Sequence, residues 1–66
     1  MNGHNKVYFV LFGNDRYYPD AHFRACRNKF DHLPEARKFA SGYSNAAIFC
    51  AKYVCGTWDI EYFMSI

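Results

Sequence analysis

At 66 residues and 7.8 kDa the chain has room for one domain, near the lower limit at which a core holds without metals or disulfides. A composition that is 52% hydrophobic and 21% aromatic excludes a disordered chain, and seven Phe, six Tyr and one Trp are more ring than so small an interior covers, so some rings must lie at the surface. A net charge of +2 is too mild for a domain that lives chiefly on phosphate contacts.

Taken in chain order, KVYFVLF (Lys6 to Phe12) is β-branched and aromatic with polar residues on both sides, which predicts a strand apolar on both faces and central in a sheet. Gly13 to Arg16 supplies turn residues, and Pro19 makes YYPD a loop or an edge. Ala21 to Phe30 fits either a helical face (Phe23, Cys26, Phe30) or a poor strand; the complete helix start that follows favours the strand. In FDHLPEARKFASGY, Asp31 or His32 caps a helix with Pro34 in its first turn and Glu35 at its positive end. Leu33, Ala36, Phe39 and Ala40 form its apolar face, and Gly42 is the expected left-handed stop. Such a helix is a lid over a sheet that could not bury its aromatics unaided.

The last third alternates. Ala47, Phe49, Ala51 and Tyr53 oppose Ala46, Ile48, Cys50 and Lys52; after Gly56, Trp58, Ile60, Tyr62 and Met64 point one way and Asp59 and Glu61 the other. This predicts a hairpin. The expectation is a single α+β domain over residues 1–66, a small antiparallel sheet with one helix packed on one face, in the order ββαββ.

No motif specifies a chemistry. Cys26, Cys50 and Cys55 with His4, His22 and His32 could be read as zinc ligands, but no Cys-x-x-Cys knuckle exists, and the cysteines read as free thiols. Cys26 and His22 would share a helical face, yet a nucleophilic pair also needs an orienting group and an oxyanion hole. Asp59 and Glu61 read as the solvated side of a strand, and Asp15 as a local backbone acceptor. No enzyme, cofactor or metal is expected. The apolar run in Val7 to Phe12 is too short to span a bilayer, and no signal-peptide pattern follows the first residues, so a soluble cytoplasmic protein is expected.

Recognition is the better prospect. In DRYYP (Asp15 to Pro19), Arg16, Tyr17 and Tyr18 combine large amphipathic rings with a cation on a loop stiffened by proline, the composition of interface hot spots. Arg24 and Arg27 lie in the basic middle of the chain.

A strand ending in a glycine turn, then YYP, then a short segment leading into FDHLPEARKFA resembles a pattern in small proteins of tailed bacteriophages and prophages, over Val7 to Ala40. Such proteins often carry a glycine pair after the proline, where this chain has DAHF. The resemblance implies small non-catalytic proteins that bind and disable a host machine, anti-CRISPR proteins among them, in the cytoplasm of a bacterial host; it carries over no active site. The expected partner is a host protein or nucleoprotein complex met by Arg16, Tyr17, Tyr18, Arg24 and Arg27. The alternatives are direct nucleic-acid binding by the basic and aromatic residues, and a homo-oligomer such as a homodimer that buries an outer sheet face including Ile48, Cys50 and Val54.

Overall fold

The computed structural model describes residues 6–65. The chain forms β1 (Lys6–Phe12), a 3-10 turn (Gly13–Tyr17), α1 (Pro19–His22), β2 (Lys29–Phe30), α2 (Leu33–Ala40), β3 (Ala46–Val54) and β4 (Thr57–Ser65). The strands make one antiparallel sheet in the order β2-β1-β3-β4. As its sequence requires, β1 is a central strand with apolar side chains on both faces.

Those two faces carry two separate cores. On one, Val10 and Ile48 meet Ala36 and Ala40 of α2, all at most 1% exposed. The two alanines let the helix backbone approach the sheet closely, while Leu33 and Phe39 close the margins. On the other, Phe9, Leu11, Phe49 and Ala51 pack with Phe23. The Phe23 ring lies 4.9 Å from that of Phe9.

The stretch Ala21 to Phe30, expected as a strand, is not one. Pro19 starts a single helical turn, Phe23 anchors the following irregular segment, and only Lys29 and Phe30 pair with β1. One buried ring fixes this segment where a strand would need an alternating row, and the sequence around Arg24 and Arg27 supplies no such row. The mixed α/β character and the antiparallel sheet are as expected, with these additional helical turns.

α2 has His32 as its N-cap and Pro34 in the first turn, and no side-chain capping bond is made. Gly42 is not the left-handed stop: Ser41 ends the helix in right-handed geometry, and the left-handed residue before β3 is Asn45 at φ 57°. Gly13 (φ 57°) does open the turn after β1, where its N–H donates to the Asn45 carbonyl at 3.0 Å. At the hairpin tip Cys55 (φ 52°) and Gly56 (φ 85°) are both left-handed, the two-residue turn whose twist matches flanking strands.

The alternation of β4 fails at its end. The register with β3 shifts between Ile48 and Phe49, so that Phe49 faces Tyr62 and Ile48 faces Met64, with Phe63 as the extra residue. Met64 therefore joins the α2 face while Ile60 packs on the Phe23 face, contrary to the expectation that both point one way. A bulge reverses the phase of everything beyond it.

Candidate partner-binding surface

Apart from Tyr43 beside α2, the large exposed rings fall into two groups. The first is the loop after β1. Tyr17 is 67% and Tyr18 63% exposed; a guanidinium lies beside the Tyr17 ring and the backbone of Tyr18 is bonded on both sides. Arg16 Nε donates to the Gly13 carbonyl at 2.7 Å, which sets its guanidinium 5.4 Å from the centre of the Tyr17 ring. The Tyr18 N–H donates to the Asp15 carbonyl and the His22 N–H to the Tyr18 carbonyl, so the tyrosines stand on a backbone bonded on both sides. The Asp15 carboxylate, expected as a local backbone acceptor, instead lies 3.3 Å from His22 Nε2; the backbone bond goes to the Asp15 carbonyl.

Of the five residues expected to meet a partner, Arg16, Tyr17 and Tyr18 form this group. Arg27 is exposed and borders a hollow with Asp15, His22 and Cys26. Arg24, also exposed, lines hollows that include Trp58. Arg27 thus shares a hollow with Asp15 of the tyrosine loop, whereas Arg24 belongs to a different place, beside Trp58.

The second group is on the hairpin: Tyr53, Val54, Trp58, Tyr62 and Phe63, from 40% to 61% exposed. Tyr53 and Trp58 face each other in register with rings 5.2 Å apart, and Trp58 reaches Phe23 at 5.3 Å. Sequence patterning placed Trp58 and Tyr62 in an apolar stripe without showing that cover runs out above them. On their face the cover is the irregular segment anchored by Phe23, which has no period for patterning to read.

The groups weighed for chemistry are dispersed. Among the described residues no three His, Cys, Asp or Glu side chains gather as a metal site; His4 lies outside those residues. Cys26 and His22 border one hollow, but the Cys26 thiol donates to the Val10 carbonyl at 3.5 Å. Cys50 is buried on β3; burial pushes its thiol pKa up, Lys6 and Lys52 oppose the shift, and Glu61 adds to it. Ile48 and Cys50, expected on an outer face open to a twin subunit, are 0% and 5% exposed. Ile48 lies in the core built with α2, so of that trio only Val54 is exposed. Among the described residues no helix is long and apolar enough to cross a membrane.

Comparison with known proteins gives no matching family model, no matching curated protein and no matching solved structure. The chemistry of the surface therefore carries the functional reading.

Proposed function

We propose that this is a non-catalytic binding protein of the phage-inhibitor kind, anti-CRISPR-like in its mode of action, which occludes a functional surface of a bacterial nucleic-acid-handling complex. In this reading the scaffold is a ββαββ sheet-and-helix fold, and the 3-10 turn and α1 are parts of its binding loop. The observation that carries the proposal is the Arg16–Tyr17–Tyr18 group: two rings more than 60% exposed beside a guanidinium fixed by its own backbone bond. Rings that keep so much surface in water do little for the fold. Held ready, they lose little entropy when a partner covers them, which is what makes tyrosine and arginine dominate interface energetics.

The test is affinity capture from bacterial lysate after nuclease treatment. One protein or complex should be retained by the native chain and lost with Tyr17→Ala or Tyr18→Ala. Capture that disappears on nuclease treatment alone would replace this reading with direct nucleic-acid binding.

A further inference from the structure

A separate site lies at the other end of the sheet. Val7, Phe23, Arg24, Lys29 and Trp58 line a hollow of about 310 Å³, at the small end of the roughly 300–1,000 Å³ range of ligand clefts. No carboxylate lines it, and among the described residues neither Arg24 nor Lys29 has an ion-pair partner. Lys29 is opposite Phe9 in the sheet, which brings its Nζ to 4.5 Å from the centre of the Phe23 ring. The cation is thereby stationed at the hollow's wall. Trp58, 40% exposed, is braced by Tyr53 and Phe23, tilted 58° and 55° to it. It also borders a second hollow of about 300 Å³ that shares Phe23 and Arg24 and adds Asp20 and Thr57.

A braced indole with two unpaired cations beside it matches a ligand that is flat and aromatic at one end and anionic at the other. An acidic peptide would satisfy the cations and leave the indole without a stacking partner, and a duplex keeps its base faces covered. We infer that the Trp58 hollow binds an unpaired nucleotide of single-stranded nucleic acid, its base against Trp58 and its two flanking phosphates on Arg24 and Lys29, one on each. The site uses none of the tyrosine-loop residues and stands or falls independently of them.

Trp58 is the chain's sole tryptophan, so its fluorescence reports the site directly. The intact chain is titrated with a twelve-nucleotide oligothymidylate, with a duplex of the same length and with a decaglutamate peptide. Oligothymidylate should quench Trp58 saturably and more tightly than either competitor. With two phosphates neutralised on a single strand, affinity should fall about sevenfold between 50 and 200 mM salt, and Arg24→Ala or Lys29→Ala should each reduce that to about two- to threefold. Both side chains are exposed, and circular dichroism checks that the variants remain folded. No saturable quenching, decaglutamate binding as tightly as the oligonucleotide, or a salt dependence unchanged in both variants would each overturn the inference.

Discussion

The two faces of the sheet are closed in different ways. On one, a helix with apolar residues at helical spacing lies against Val10 and Ile48, and a cluster of rings seals its edge: Phe39 contacts Phe12, Phe30 and Tyr43 at 6.1, 5.4 and 5.2 Å. On the other, an irregular segment is attached by one buried ring, Phe23, and part of the face beyond it is left to Trp58 and Tyr62. Periodic cover distributes its hold over many contacts and leaves aromatic surface only at its margins, at Tyr43 and Phe63. Single-anchor cover is shorter and leaves aromatic surface available for binding.

The largest effect that tests this contrast is on Phe9, fully buried between Phe23 and Phe49. Phe9→Ala should destabilise the domain by about 3–5 kcal/mol in denaturant unfolding, enough to threaten folding at this size. Phe39, only half-buried and one of several rings at its seam, should cost about 2 kcal/mol as Phe39→Ala. A reversed order would break the comparison. Phe23→Ala sharpens it: amide exchange should accelerate through residues 19–28 while α2 stays protected, because the segment's other hold, Cys26, is only half-buried.

Smaller effects follow from the turns. Gly56→Ala should cost about 1 kcal/mol, since its left-handed backbone disfavours any Cβ although the space is open. Gly42→Ala should be neutral or mildly stabilising. The position is not left-handed, its added Cβ meets nothing nearer than the Phe39 carbonyl at 3.8 Å, and alanine restricts the unfolded chain. Melting temperatures of the two variants, measured together, check both signs.

The smallest effect is alkaline. Because burial raises the Cys50 thiol above its ordinary value of 9.0, its contribution to stability is fully present below that pH. It is lost as pH rises towards the folded-state value, where only the unfolded chain has ionised. Cys50→Ala should therefore flatten the alkaline slope of stability. Under native conditions exposed Cys55 should be alkylated well before Cys50.

What the sequence made legible was whatever repeats or runs unbroken. The α2 face and the β3–β4 hairpin each have a period, the central strand is one continuous apolar run, and each is present. The Phe23 segment has none, since one ring anchors it. The β4 bulge left a trace: Tyr62, Phe63 and Met64 are three large apolar residues in succession, where strict alternation cannot hold. In the candidate surface, the tyrosine loop was legible because a proline, a glycine turn and paired rings are local features. The setting of Arg24 beside Trp58 was not, because it depends on the contact between Phe23 and Trp58, 35 positions apart, that only the folded sheet creates.

The central claim is that Tyr17 and Tyr18 grip a protein partner while contributing little to the fold. The most direct measurement is the affinity of the captured partner for the native chain and for Tyr17→Ala and Tyr18→Ala, with melting temperature followed in parallel. Each substitution should weaken binding by about 2 kcal/mol, close to thirtyfold, with modest salt dependence and an unchanged melting temperature. Affinity that survives both substitutions, or a loss that merely tracks unfolding, would contradict the account.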